Sequence, residues 1–199
     1  MKNSIRLVIL LVVCLFLLEG AALAMEFSAD VISTSGGKTV SSGKMWFSND
    51  RMRLETQPSE LKGKDQPQAV VITRLDKLVV WILMAKEQKY LEQSFSGMIP
   101  VVSESVGNVQ VDRQLLGSEV IDGRTANKYR VTTTVKGKST VTYQWLGADS
   151  GIPLKFSDEK GQFIQEYRNL VVGPQDPSLF EVPAGYQKMS IPSFGNLFS

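Results

Sequence analysis

The sequence predicts a mainly β protein with about eleven strands in one strongly curved antiparallel sheet, either a barrel or a half-barrel. Three observations support this fold class. Turn-forming residues recur roughly every eight to twelve residues, which is the spacing of all-β proteins. The connections between segments are short, so neighbouring strands are antiparallel. Most segments alternate apolar and polar side chains, which gives the sheet one wet side and one apolar side.

Residues 1–24 are predicted to be a secretory signal peptide. Lys2 and Arg6 precede a continuous apolar stretch over residues 7–18, and small residues at the end of the leader place the cleavage after Ala24. The apolar stretch is short for a membrane span. The sequence therefore predicts export to the periplasm.

The mature chain is expected to form one domain over residues 25–189, followed by an apolar tail over residues 190–199. The full sequence has 22 basic and 20 acidic residues, no histidine, and one cysteine, Cys14, which lies within the leader. This nearly balanced charge argues against nucleic-acid binding, because a nucleic-acid-binding protein needs a concentrated basic surface. Without cysteine, the mature domain has no disulfide to stabilise it.

Composition also bears on catalysis. The mature chain lacks the commonest general base, the commonest zinc ligand and any thiol, because it has neither histidine nor cysteine. No nucleophile elbow and no phosphate-binding glycine loop occurs in the sequence. We therefore expect a protein that is not an enzyme and that uses no cofactor and no metal.

The predicted strands are separated by residues that tolerate turn conformations, such as Gly36-Gly37, Asn49-Asp50 and Asp122-Gly123. Alternation is clear in the flanking strands, where Val141, Tyr143 and Trp145 share one face. The strands are predicted, in order, over residues 26–33, 38–48, 51–55, 68–74, 78–85, 89–92, 116–121, 127–134, 139–146, 152–156 and 163–171.

One strand departs from the alternating pattern. Residues from Leu78 to Met84 are apolar at all seven positions, including Trp81. Because successive side chains of a strand point to opposite faces, both faces of this strand must be covered. The cover is either another layer of the protein or a bound ligand.

Two segments do not fit strands. Residues 94–114 form a long apolar connection, which is typical of a lid or a binding element, or of a short helix that fills the core. The tail, residues 190–199, either docks on the domain or meets a partner.

Several segments resemble those of the LolA/LolB-like lipoprotein carriers. GKMWFSNDRMRLETQ, Gly43 to Gln57, is similar to a strand–turn–strand of that family, and residues 74–93 are similar to its tryptophan strand. VIDGRTANKYRV, WLGADSGIPLKF and DPSLFEVPAGYQKM are also similar to recurring segments, and the last, Asp176 to Met189, is the most specific. The resemblance spans most of residues 26–189. Asn49 stands where the family carries a basic residue, and the long N-terminal helix of the family has no counterpart near Met25.

The resemblance implies an open half-barrel with a short helical or loop lid on its concave face, which takes up acyl chains. We expect a monomeric, non-enzymatic periplasmic protein whose partner is a lipid, a lipoprotein or another apolar ligand. The alternative is an envelope protein-interaction or sensing module with a fully packed core. The predicted ligand contacts are Trp46, Trp81, Leu83, Met84, Tyr143 and Trp145, with Met98 and Ile99 in the lid.

Overall fold

The computed structural model describes residues 25–59, 69–94, 109–135 and 137–189. These ranges contain twelve β-strands and one 3₁₀ helix. The strands are β1 Glu26–Ser35, β2 Lys38–Ser48, β3 Arg51–Pro58, β4 Ala69–Arg74, β5 Val79–Met84, β6 Lys89–Ser94, β7 Val109–Ile121, β8 Arg124–Val135, β9 Lys138–Gly147, β10 Pro153–Asp158, β11 Phe163–Val172 and β12 Gln187–Lys188; the 3₁₀ helix is Pro177–Phe180.

All twelve strands belong to one sheet, in the order β12-β6-β5-β4-β3-β2-β1-β11-β10-β9-β8-β7. The sheet is not closed, because β12 and β7 are its two edges, and the fold is the predicted curved half-barrel. β1 lies in the middle of the sheet, where it pairs with β2 on one side and with β11 on the other. The N-terminal strands of the domain and its last long strand are thereby held together.

The structure confirms the predicted strands and corrects three details. β7 begins at Val109 rather than Leu116, so the part of the predicted lid over residues 109–114 is strand. Leu78 lies in the turn before β5 with a left-handed φ of 53° and is exposed. β12 was not predicted, and it pairs with β6 in parallel.

Other predicted segments lie outside the described residues, namely the signal peptide, residues 95–108 of the lid and the tail over residues 190–199. In the part of the chain that the structure describes, no helix combines the length and apolar character needed to span a membrane.

The pairing register separates the sheet into two faces, because residues paired across an antiparallel ladder share a face. We call the side that carries Phe27, Phe47 and Met52 the apolar face, and the other side, which carries Trp46 and Trp81, the opposite face. The buried side chains of the apolar face include Phe27, Ala29, Val31, Met45, Phe47, Met52, Leu54, Val80, Val131, Phe156 and Tyr167. This face runs from β5 to β8 through the centre of the sheet.

A glycine fixes the close approach of β2 to β3. A Cβ atom on Gly43 would lie 1.8 Å from the carbonyl oxygen of Glu55, which is far inside any atomic contact distance. Gly43 pairs with Val31 on one side and with Thr56 on the other. The centre of the sheet therefore requires a residue without a side chain at this position.

Candidate functional site

The apolar face is lined by aromatic and methionine side chains at the centre of the sheet. The Phe27 and Phe47 rings lie with their centroids 5.4 Å apart, and Met45 and Met52 are buried beside them. Methionine is unbranched and polarisable, so it adapts to irregular apolar shapes. These side chains are at most 5% exposed, so they form a buried apolar cluster of the kind that lines sites for apolar ligands.

A second apolar cluster lies on the opposite face, over β4 and β5. Phe180 of the 3₁₀ helix is fully buried there and packs in one cluster with Val70, Ile72, Trp81 and Leu83. We call residues 173–189, which follow β11, the C-terminal segment. This segment supplies the cover that the uninterrupted apolar sequence of β5 demands.

The two faces of β5 therefore have different cover. Val80 points to the apolar face, where it pairs with Thr73, and both residues are buried. Trp81 and Leu83 point to the opposite face and lie against Phe180. On the opposite face, the cover is the protein itself and not a ligand.

Arg74 anchors the C-terminal segment through a network of hydrogen bonds. Its side chain is only 4% exposed, donates to the carboxylate of Asp76 at 2.5 and 2.7 Å, and donates to the carbonyl oxygen of Phe180 at 3.2 Å. It also forms an ion pair with Glu181, which Lys77 joins at 3.2 Å. Residues more than one hundred positions apart in the sequence are joined in this way.

The network shifts the pKa values of its members. The hydrogen bond from Arg74 lowers the pKa of Asp76 and, reciprocally, raises the pKa of Arg74. Burial by itself raises the pKa of Glu181, but the hydrogen bonds from Arg74 and Lys77 outweigh burial and lower that pKa. The carboxylates of the network are therefore ionised at neutral pH. No local sequence pattern indicates the role of Arg74, because its partner Glu181 comes from a distant segment.

Further anchors lie beside this network. The Arg53 guanidinium donates to the carbonyl oxygen of Leu179 at 3.1 Å. Glu92 accepts hydrogen bonds from Lys188 at 2.5 Å and from the Trp81 indole at 2.9 Å. The hydrogen bond from Lys188 has the larger effect in lowering the pKa of Glu92, and the bond from Trp81 lowers it further. The C-terminal segment is thus tied to β3, β4, β5 and β6.

The predicted ligand contacts separate into three groups. Trp46, Trp81 and Leu83 meet in the cluster under Phe180. Tyr143 and Trp145 lie together, with ring centroids 6.3 Å apart. The pairing register points both to the opposite face, yet Trp145 belongs to the same buried cluster as Phe27 and Met52, and Tyr143 packs against that cluster.

The third group contains Met84, which shares the apolar face with Val80 and Ile82, four and two residues earlier in β5. Met98 and Ile99 lie outside the described residues. By strand register, Met84 is thus the one described member of the predicted set whose side chain points to the apolar face.

Charged residues surround Trp145 on the opposite face. Its indole nitrogen donates a hydrogen bond to Glu119, and the ammonium groups of Lys128 and Lys155 lie 4.8 and 4.9 Å from the ring centroid. Lys155 in turn pairs with Glu166 at 3.7 Å. The side chain of Trp145 is therefore held in place by charged neighbours and is buried beneath them.

Polar side chains interrupt the apolar face over β8, β9 and β11. Gln144 pairs with Tyr129 on one side and with Phe156 on the other, and Phe156 pairs with Gln165. The Gln165 amide donates to the Tyr167 hydroxyl at 2.8 Å, and burial raises the pKa of that hydroxyl. Sequence reasoning did not select these residues, although alternation within β9 places Gln144 opposite Tyr143 and Trp145.

The edge strand β7 exposes apolar side chains. Val111, Leu115, Leu116 and Val120 are between 47% and 70% exposed. Among the described strands, β7 pairs only with β8, so its other edge presents main-chain groups that no described strand pairs with. Such an edge is suited to pairing with an added strand.

Acidic residues occur at one end of the sheet, where a polar depression is lined by Asp122, Arg124, Thr125 and Asp149. Asp122 accepts a hydrogen bond from the Asn169 backbone at 2.6 Å. Within residues 25–59, 69–94, 109–135 and 137–189, no three acidic, histidine or cysteine side chains come together as a metal site.

Comparison with known proteins finds similarity of fold only. No protein-family model and no curated protein matches the chain. Among solved structures, MucB in complex with MucA(peri) is similar at 17% identity and a TM-score of 0.46, over 84% of this chain and 57% of that one. PNGF-II is similar at 14% identity and a TM-score of 0.48, over 83% of this chain and 30% of that one.

The lipoprotein LppX of Mycobacterium tuberculosis is similar at 17% identity and a TM-score of 0.43, over 73% of this chain and 84% of that one. The chain spans just over half of the length of MucB and less than a third of the length of PNGF-II. Function does not transfer between proteins on similarity at this level.

Proposed function

We propose that the protein is an exported, non-enzymatic binding protein that holds an acyl chain, a lipoprotein or another apolar ligand on the apolar face of its open half-barrel. The observation that carries the proposal is the apolar face, which is rich in aromatic and methionine side chains at the centre of an unclosed sheet. Phe27, Phe47, Met45, Met52 and Met84 are the proposed contacts on this face.

The energetics favour an acyl chain as the ligand. Removing one methylene group from water stabilises a complex by about 0.8 kcal/mol, so burial of part of one chain suffices for useful affinity. The methionines let the face adapt to chains of different length and unsaturation. In this proposal, Trp46 and Trp81 contribute indirectly, because they hold the C-terminal segment on the opposite face.

The test is to express the full chain with export to a periplasm, to purify it gently and to record native mass spectra before and after solvent extraction. We expect a stoichiometric lipid or lipopeptide that extraction removes. Met84→Lys places a charge on the apolar face and should abolish this adduct, whereas Lys86→Glu, in the exposed turn after β5, should retain it. Circular dichroism should show that both variants are folded.

The opposite result is equally clear. A mass equal to the polypeptide alone, together with no binding of methyl oleate or of fluorescent apolar probes, would refute the proposal. The apolar face would then be core only.

The exposed edge of β7 favours a second candidate function, an envelope interaction module that takes up an extended segment of a partner protein. Main-chain hydrogen bonds to the edge would supply affinity, and Val111 and Leu115 would select apolar side chains on one face of the added strand. Photo-cross-linking from Gln114 in living cells tests this function. Leu115→Lys should remove a specific cross-link while lipid uptake persists; an unchanged cross-link pattern excludes the edge as the docking surface.

A further inference from the structure

Two polar atoms on the apolar face are buried without a hydrogen-bond partner. The Gln144 side-chain oxygen, Oε1, accepts no hydrogen bond, and its residue is only 7% exposed. The Arg113 Nε–H is also buried and donates to no acceptor. An unsatisfied buried polar group costs about 1–3 kcal/mol, so two of them on one face require an explanation.

These two atoms belong to neighbouring strands around one aromatic ring. Arg113 is on β7, and its guanidinium carbon lies 5.5 Å from the ring centroid of Tyr129 on β8. Tyr129 pairs directly with Gln144 on β9, so their side chains lie on the same face. Tyr129 thus stands between an unsatisfied cationic donor and an unsatisfied neutral acceptor.

The acidic groups in the described part of the chain do not neutralise Arg113. Among the described residues, Arg113 forms no ion pair, and Asp112 lies on the opposite face because it is adjacent in the same strand. Asp158 shares its row on the apolar face but stands three strands away, about 14 Å at the usual strand spacing. The Asp158 carboxylate accepts instead from the Phe163 backbone N–H at 2.9 Å.

We propose that Arg113, Tyr129 and Gln144 form the head-group site for an amphiphile with an anionic head, a carboxylate or a phosphate, whose chain lies on the apolar face. The planar guanidinium of arginine matches both anions. Gln144 Oε1 accepts a hydrogen bond from a hydroxyl or amide N–H beside the anion. This inference rests on the proposed function, because it assigns the head group of the same ligand.

The position of the site fits this assignment. β7 is an edge strand, so a polar head at Arg113 remains near solvent, while the aromatic and methionine side chains of β1, β2 and β3 lie further into the sheet. An amphiphile that enters at this edge keeps its anionic end outermost. The apolar surface beyond Tyr129 then receives the chain.

The experiment measures displacement of cis-parinaric acid methyl ester, a neutral fluorescent probe, from the full chain after delipidation. The competitors are methyl oleate, oleic acid, 1-oleoyl lysophosphatidic acid and inorganic phosphate. We expect both anionic lipids to bind at least about tenfold more tightly than methyl oleate, the effect of one hydrogen bond to a charged group. Inorganic phosphate, which has no chain, should not displace the probe.

Variants assign the residues. Arg113→Gln should lower the affinity for both anionic lipids by about tenfold or more and should leave the affinity for methyl oleate within about twofold of the wild-type value. Gln144→Leu should lower the affinity for lysophosphatidic acid, whose glycerol hydroxyl is the donor, by about fivefold. The affinity for oleic acid should not change. Arg130→Gln is the matched control, because Arg130 bonds to Thr132 on the opposite face and should alter no affinity.

The outcomes separate the two proposals. If methyl oleate and the probe fail to bind, the proposed function fails, and the head-group site fails with it. If methyl oleate binds as tightly as the anionic lipids, or if Arg113→Gln changes no affinity, only the head-group site is refuted. Displacement by oleic acid but not by lysophosphatidic acid would restrict the head to a carboxylate and overturn the phosphate assignment.

Discussion

Replacing Phe180 with alanine tests how firmly the C-terminal segment is held to the sheet. The ring is fully buried among Val70, Ile72, Trp81 and Leu83. Burial of such a ring contributes about 1.5–3 kcal/mol, and the cavity left by its removal raises the loss to about 3–5 kcal/mol. We expect the free energy of unfolding to fall by an amount in this range. The loss cannot exceed the free energy with which the C-terminal segment docks on the sheet.

Urea unfolding, followed by tryptophan fluorescence, measures this loss. Because Trp81 packs in the same cluster, its emission should also shift to longer wavelength in Phe180→Ala before global unfolding. Val171→Ala is the control, since Val171 is 61% exposed on β11 and its truncation should stay within about 0.5 kcal/mol. A loss below about 1 kcal/mol for Phe180→Ala, with unchanged emission, would show that the ring does not hold the segment.

Three further predictions concern charge, backbone and burial. The pKa values of Asp76 and Glu181 are lowered in the folded protein, so their contribution to stability is present above the unfolded pKa, about 4, and is lost as the pH falls through the folded value; urea midpoints at pH 7 and pH 3 should show this loss. Gly43→Ala should cost about 3 kcal/mol, because the new Cβ meets a backbone oxygen, whereas Gly161→Ala, which meets no atom, should cost only the strain of its left-handed φ, about 1–2 kcal/mol. Gln144→Leu should stabilise the lipid-free protein by about 1 kcal/mol in the same assay, because it removes a buried acceptor without a partner.

Each of these three predictions would be contradicted by a specific result. An acid sensitivity that persists unchanged in Arg74→Met would place its origin outside the network around that residue. Equal melting temperatures for the two glycine variants would mean that β2 can shift away from Glu55. A Gln144→Leu protein less stable than the wild type would indicate that the Gln144 amide is satisfied in solution.

The strands were predictable because their signals are local. Turn residues such as Asn49 and Gly123, both with left-handed φ, separate the strands at the predicted places. β7 was predicted seven residues too short, although Val109 and Val111 already alternate with polar residues there. β12 has only two residues and pairs in parallel, so no periodicity could reveal it.

The side of the sheet on which each aromatic residue lies was not predictable in the same way. Alternation shows that Tyr143 and Trp145 share a face within β9, but only the ladder from Trp145 through Lys155 and Glu166 to β1 shows which face of the sheet it is. Likewise, β5 had to be covered on both sides, yet sequence alone left open whether protein or ligand covers Trp81. The answer depends on Phe180, which is 99 positions away.

Among the described residues, buried polar groups have hydrogen-bond partners on one face of the sheet, whereas two such groups on the other face lack them, and this difference bears on function. On the opposite face, buried charge is matched: Arg74 reaches Asp76, Glu181 and a backbone carbonyl. On the apolar face, the Arg113 Nε and Gln144 Oε1 are left without partners, although satisfying them would add stability. Proteins retain such destabilising groups where function requires them, because selection acts on activity once stability is sufficient. If Gln144→Leu stabilises the protein and also lowers its affinity for lysophosphatidic acid, one residue accounts for both observations. A packing defect alone would not make a substitution raise stability and lower affinity together.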